Sequence, residues 1–215
     1  MKFFVDSAVI EEIKKAKALG LADGVTTNPT LIRNSGRDLK EVITEIAELV
    51  DGPVLAEPVA DSAEDIVKQG REFASWGDNV VVKIAFSEEG LKATYQLSGE
   101  GIPCALTLVF SASQALLAAK AGASIICPFV GRLDDISTPG GELIADIMDV
   151  YSMYPDIDTE VIVASIRTPN HILESAMSGA DGVTVPYKVI TQLMKHPLTD
   201  IGIQKFKEDW EKGSK

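Results

Sequence analysis

Eight times along the chain a short apolar run gives way to an amphipathic stretch, and this alternation restricts the fold more than any single residue does. The runs are Phe3 to Val5, Gly24 with Val25, Val54 to Glu57, Asn79 to Ala85, Ile102 to Leu108, Ser124 to Phe129, Glu160 to Ser165 and Gly182 to Val185. Several are continuously apolar and β-branched, as strands covered on both faces are. Helix signals lie between them. Ser7 is placed to cap a helix whose stripe is Val9 or Ile10, Ile13, Ala16 and Leu19, closed by Gly20. Pro29 forces the chain out of the second strand, and Leu39, Val42, Ile43, Ile46 and Leu49 form the next stripe. Ser62 and Ser87 open further helices, and Ser111 with Gln114 fits a capping box before an alanine-rich helix that Gly122 stops. Pro139 suits the first turn of a helix carrying Leu143, Ile147, Met148 and Tyr151, and Thr168-Pro169 opens one ending at Gly179.

Eight such units predict an α/β fold, a (β/α)8 TIM barrel. An open doubly wound sheet is the competing arrangement, but it usually carries a glycine-rich turn after the first strand, and Asp6-Ser7-Ala8 is not one. A chain of 215 residues, 46% hydrophobic, suits one domain over residues 1–215. One apolar stripe is left over after the eighth unit: Ile203, Phe206 and Trp210, within Thr199 to Trp210. It predicts an additional C-terminal helix that packs across the barrel mouth or onto another subunit.

A net charge of −12 argues against nucleic acid and anionic membranes as partners, because phosphate backbones are bound by basic patches. No apolar run approaches a membrane span, and the N-terminus is too short and too soon acidic for a secretory signal, so a cytoplasmic location is expected. Cys104 and Cys127 sit in apolar runs as small hydrophobes, with neither a disulfide framework nor metal-ligand spacing.

In a barrel, chemistry is expected at the carboxyl ends of the strands. Those ends supply Asp6, Thr26, Thr27, Asn28, Glu57, Lys83, Thr107, Phe129 with Arg132 beyond it, and Ser165 with Arg167. Lys83 follows three valines in Asn79-Val-Val-Val-Lys-Ile-Ala85. Burial disfavours an ammonium, so an amine there can be neutral and nucleophilic toward a ketone; otherwise it sits at the strand end and pairs with a carboxylate such as Glu57. Two carboxylates, hydroxyls and an amide could shuttle protons, and the arginines could grip a phosphate. Each residue also has a structural reading: Asp6 caps a helix, Asn28 serves the turn before Pro29, and Arg132 pairs with Asp134 or Asp135. His171 and His196 fall outside the rim set.

Gly24-Val-Thr-Thr-Asn-Pro-Thr-Leu31, Val81-Val-Lys-Ile84, Pro128-Phe-Val-Gly-Arg-Leu-Asp-Asp135 and Lys195-His-Pro-Leu-Thr-Asp200 together resemble the small transaldolases and the fructose 6-phosphate aldolases grouped with them. The resemblance covers essentially the whole chain. It implies a class I aldolase barrel with no metal or organic cofactor, acting on small sugar phosphates. Lys83 would form an imine with the C2 ketone of a ketose phosphate, and Asp6 would take the C4 hydroxyl proton as the C3–C4 bond breaks. Glu57 and Thr107 would position a proton-carrying water, while Asn28 and Thr27 would face substrate hydroxyls. Arg132, Ser165 and Arg167 match the family's phosphate-binding positions. A dihydroxyacetone unit would then pass from sedoheptulose 7-phosphate or fructose 6-phosphate to an aldose phosphate, as in the pentose phosphate pathway.

The chain departs from the transaldolase pattern in three places: Ala105 stands in place of an asparagine, Cys127 in place of a serine, and Ala85-Phe86 in place of the Pro-Met usually seen after Lys-Ile. Glu57 and Phe129 are transaldolase-like, where the aldolase branch usually has glutamine and tyrosine. The mixture leaves open a fructose 6-phosphate aldolase, or an enzyme with an altered donor or another anionic ketose such as sulfofructose. An inactive sugar-phosphate-binding barrel is the reading from a different class. The resemblance also implies a homo-oligomer, a pentamer or decamer, with the C-terminal helix at 198–213 lying on a neighbouring subunit.

Overall fold

The computed structural model describes residues 1–213; Ser214 and Lys215, the last two positions of the expected domain, lie outside the described residues. Eight parallel strands close into a barrel in chain order: β1 (Lys2–Asp6), β2 (Gly24–Thr26), β3 (Val54–Ala56), β4 (Val80–Ala85), β5 (Cys104–Val109), β6 (Ile125–Pro128), β7 (Glu160–Val163) and β8 (Gly182–Val185). β1 pairs with both β2 and β8, so the sheet has no free edge. The barrel helices are α1 (Ile10–Ala18), α2 (Pro29–Ser35), α3 (Leu39–Leu49), α4 (Ala63–Ala74), α5 (Glu88–Gly99), α6 (Ala112–Lys120), α7 (Val130–Asp134), α8 (Gly140–Ser152), α9 (Pro169–Met177) and α10 (Tyr187–Leu193). The additional helix, α11, runs over Pro197–Gly213, one residue ahead of the expected start, and none of its residues is buried.

Side chains alternate across a strand with period two, and in a closed barrel one set points inward. Phe4, Leu55, Val81, Ala105, Ile125, Cys127, Ile162 and Ala164 form the inner cluster, with Phe129 packed against it. The outward set, including Val5, Val82, Ile84, Leu106 and Val163, meets the helix stripes in a larger shell that contains Ile13, Val42, Ile46, Ile66, Leu97, Ile144 and Ile147.

Most expected caps are present. The hydroxyls of Ser62, Ser87 and Ser111 accept the N–H groups of Asp65, Gly90 and Gln114 at 3.1, 2.9 and 3.2 Å, and Gln114 Oε1 reaches back to Phe110 N–H at 2.7 Å. Gly20, Gly101, Gly122 and Gly179 all follow their helices at positive φ. Ser7 differs from expectation: Val9 is the N-cap of α1, and Ser7 accepts Val9 N–H at 3.0 Å while donating to Glu12 at 2.6 Å.

Strand limits shift for local reasons. Ile102 does not start β5, because its N–H closes the end of α5 on the Leu97 carbonyl at 3.0 Å. Phe129 leaves β6 to become the N-cap of α7, keeping a single bridge to Ala164. Ser165 lies beyond β7 at φ 60, where the chain turns.

Candidate active site

The carboxyl end of the barrel is built in layers. Two residues after each inward residue of the lower layer comes another inward residue: Phe4 is followed by Asp6, Gly24 by Thr26, Leu55 by Glu57, Val81 by Lys83, Ala105 by Thr107, Ile125 by Cys127, Ile162 by Ala164 and Gly182 by Thr184. All eight upper residues line one cavity of about 440 Å³, within the range of small-molecule sites. Its walls come from Asn28 and the first turn of α2 to Leu31, from Leu108 near the end of β5, and from Phe129, Arg132 in α7 and Ser165. A hollow of about 590 Å³ outside the barrel, between α8 and α9, is larger but draws on none of these strand-end groups.

Lys83 is almost wholly buried, and its amine has two partners. It donates to the Thr27 carbonyl at 2.9 Å and lies 3.2 Å from Glu57 Oε2. Asp6 accepts the Thr26 hydroxyl at 2.9 Å, and Thr26 in turn contacts the Thr184 hydroxyl at 2.5 Å. Burial pushes the Asp6 carboxyl above its ordinary value, with the Lys83 charge and the Thr26 bond pulling the other way. Burial likewise pushes the Cys127 thiol up to about 12, so it is a neutral S–H beside the amine rather than a nucleophile. Thr107 Oγ1 is buried with no protein partner among the described residues and faces the same cavity. A buried hydroxyl left this way is costly unless something in the cavity pairs with it.

Two backbone irregularities shape the walls. β5 slips register against β6 between Thr107 and Val109, and Leu108 in the slip has φ 60; Ser165 has the same φ across the cavity. Left-handed backbone at non-glycine residues tends to gather at sites where geometry matters more than local energy.

Nine expected residues meet in the cavity: Asp6, Asn28, Glu57, Lys83, Thr107, Cys127, Phe129, Arg132 and Ser165. Asn28 also caps α2, its Oδ1 accepting Leu31 N–H at 2.9 Å, so both of its readings hold together. The other three residues stand apart. Thr27 turns its hydroxyl to the Leu55 carbonyl at 2.8 Å and faces Lys83 only with its backbone oxygen. Ala105 is fully buried one layer below, in register with Lys83, and its methyl does not reach the cavity. Arg167 turns aside to Asp135, gripping both carboxylate oxygens through Nη1 and Nη2, the latter at 2.6 Å. Thr26, one of the expected strand-end residues, also lines the cavity; Leu108, Ala164 and Thr184 belong to it beyond those ends, and period-two counting from the inner cluster is the signal that finds Thr184 and Ala164.

The segments that carry the arginines, α7 and the β7–α9 connection, are tied together. Arg132 lies over the Phe129 ring, 4.9 Å from its centroid, and pairs with no carboxylate among the described residues. The Asp134 carboxylate accepts Gly140 N–H at 2.9 Å and bonds His171 Nε2 at 2.6 Å, while His171 Nδ1 accepts the Arg167 backbone N–H at 3.2 Å. The Gly140 bond, then the His171 bond, hold the Asp134 carboxyl below its ordinary range. Gly131 permits the close approach of α7, since a β-carbon there would stand 2.2 Å from the Ser165 carbonyl oxygen.

A closed parallel barrel with titratable groups and hydroxyls gathered at its strand ends has the architecture of the (β/α)8-barrel enzymes. The family model described as Transaldolase/Fructose-6-phosphate aldolase matches residues 3–215, and the chain belongs to that family. It is similar to the "Probable transaldolase" of Aquifex aeolicus (strain VF5), with 61% identity over 212 residues, 99% of this chain and 97% of that one. It is also similar to the "Probable transaldolase" of Myxococcus xanthus (strain DK1622), at 58% identity over 99% of this chain and 95% of the relative. A "Probable transaldolase" of Methanococcus maripaludis (strain C7 / ATCC BAA-1331) is 58% identical over 98% of each chain. The protein is therefore an enzyme of the transaldolase type. No helix among the described residues is long and apolar enough to cross a membrane.

Proposed function

We propose that this enzyme moves a dihydroxyacetone unit from a ketose phosphate, sedoheptulose 7-phosphate or fructose 6-phosphate, to an aldose phosphate through an imine on Lys83, serving the pentose phosphate pathway. The observation that carries this reading is one buried lysine amine, 3.2 Å from a carboxylate, at the floor of a cavity lined by a second carboxylate and an unpartnered hydroxyl. Attack on a ketone needs the free amine, and Glu57 is the acceptor within reach of its proton. Loss of the carbinol hydroxyl as water needs a proton returned, and Glu57 with Thr107 stands where a bridging water would carry it. Asp6, held by Thr26, takes the C4 hydroxyl proton as the C3–C4 bond breaks, and its raised pKa suits that transfer. The enamine that remains on Lys83 then adds to the acceptor aldehyde. Arg132 and Ser165 receive the phosphate at the cavity wall, with Arg167 beside them.

The experiment is incubation with fructose 6-phosphate, with and without erythrose 4-phosphate, to follow turnover, and in separate samples treatment of enzyme and fructose 6-phosphate with borohydride to trap the imine. A reduced adduct on Lys83 and erythrose-dependent formation of sedoheptulose 7-phosphate support the reading. Absence of the adduct removes it. A second reading, aldol cleavage or an altered donor, is favoured by Ala105 and Cys127, which leave the surroundings of Lys83 less polar than asparagine and serine would. Free glyceraldehyde 3-phosphate without acceptor would support it.

The chain is read as one cytoplasmic domain without a nucleic-acid partner, in keeping with its net charge of −12. Assembly into a closed homo-oligomer, a pentamer or decamer, is supported by α11, whose Ile203, Phe206 and Trp210 are 50%, 75% and 78% exposed.

A further inference from the structure

The geometry points to Asp135 as a specificity-determining residue: its ion pair holds Arg167 off the cavity, and a dianionic phosphate can take the guanidinium from it where a monoanionic or neutral group cannot. This rests on the reading of the cavity as a sugar-phosphate site. Two arginines stand near its mouth, and they are held differently. Arg132 lines the cavity and has no carboxylate partner among the described residues. Arg167 does not line it, because Asp135 occupies both terminal nitrogens.

The guanidinium is nevertheless close at hand. Arg167 Nε and Ser165 Oγ lie 2.9 and 3.0 Å from the place a Gly131 β-carbon would occupy, and Ser165 is a cavity wall. The Arg167 backbone is fixed, its N–H bonded to His171 Nδ1 while His171 Nε2 meets Asp134. Only the side chain has to turn. Gly131 leaves that path open, since it adds no β-carbon between the two groups.

The competition is one of charge. The Arg167 and Asp135 side chains are 47% and 50% exposed, and ion pairs in that setting hold weakly. A sulfonate monoanion offers the guanidinium no more charge than Asp135 already supplies, whereas a phosphate dianion beside Arg132 offers about twice as much. Asp135 therefore sets a charge threshold on the second arginine. Substrates bearing a dianion engage both arginines, and others meet Arg132 alone.

The test compares glyceraldehyde 3-phosphate, its sulfonate analogue 2-hydroxy-3-sulfopropanal and glyceraldehyde as acceptors at pH 8, where the phosphate ester is dianionic. Asp135→Asn should lower KM for the sulfonate by about twofold to fivefold, the weight of a half-exposed ion pair, and narrow the preference for phosphate over sulfonate. In an Arg167→Ala background the same substitution should leave that preference unmoved, which a merely structural role for Asp135 would not produce. An unaltered preference in Asp135→Asn overturns the proposal, and so does a higher KM for the phosphorylated acceptor, which would mean that Asp135 aims Arg167 productively. If Arg167→Ala and Arg132→Ala raise KM for the phosphate ester while Asp135→Asn changes nothing, only the threshold fails. If neither arginine matters, the sugar-phosphate reading fails with it.

Discussion

Lys83 Nζ lies 3.2 Å from Glu57 Oε2 although the two side chains are only 7% and 14% exposed. A pair this deep is a poor source of stability, because removing both charges from water offsets most of their attraction. Its position at the cavity floor gives it a chemical use instead. Lys83→Met keeps the length and apolar stem, so the barrel should fold with an unchanged circular dichroism spectrum, while borohydride trapping disappears and turnover falls to background. Persistent trapping would move the imine elsewhere, with Lys188 after β8 the next amine to test.

The Thr26 bond to Asp6 makes a prediction about pH. Asp6 must be ionised to take a proton, so activity is present above its pKa and lost as pH falls through it. Burial has raised that pKa, and the Thr26 hydroxyl holds part of the rise back. Thr26→Val removes the restraint, so the acidic limb of kcat/KM should move to higher pH by about one unit, the scale of a hydrogen bond to a charged group. A limb that moves down or stays would show that Asp6 is not the group being titrated.

Cys127 tests the donor. Its thiol is neutral and sits beside the amine, so it offers a hydroxyl little more than an apolar surface would. Cys127→Ser should favour fructose 6-phosphate over its 1-deoxy analogue by about threefold to tenfold, the net worth of one neutral hydrogen bond. Unchanged discrimination would place the donor's C1 hydroxyl away from β6.

The barrel was legible because its strands and stripes repeat, and so were the strand-end groups Asp6, Glu57, Lys83 and Thr107. What escaped had physical causes. α7 and α10 span five and seven residues, too few to show a helical stripe. Thr184 looked like the middle of an apolar run, and its inward face emerges only by counting two residues from Gly182. The same counting puts Ala105 beneath the cavity, where alignment with a longer side chain had suggested contact. The pairing of Asp135 with Arg167 rather than Arg132 depends on two loops meeting across α7, which no local pattern encodes.

Arg132 carries the anion prediction. It is the arginine that lines the cavity, braced by the Phe129 ring. Arg132→Ala should weaken phosphorylated acceptors by about 1 to 3 kcal/mol, with a much smaller change for unphosphorylated ones, read as the ratio of their kcat/KM values. Equal losses on both would assign Arg132 to the packing of the loop.

The last prediction concerns α11. This helix of 17 residues buries none of them, yet it carries Ile203, Phe206 and Trp210 along one side. A large side chain moved from water into an interface contributes about 1.5 to 3 kcal/mol, so a second copy that covers this stripe would tie assembly to stability. A helix that lies on a different surface of the next subunit makes a head-to-tail contact, which must close into a ring or grow into a filament. The full chain should therefore form a closed homo-oligomer. Cutting after Pro197 should lower both its mass by light scattering and its Tm. An unchanged mass would show that subunits, if they associate, do so without this helix.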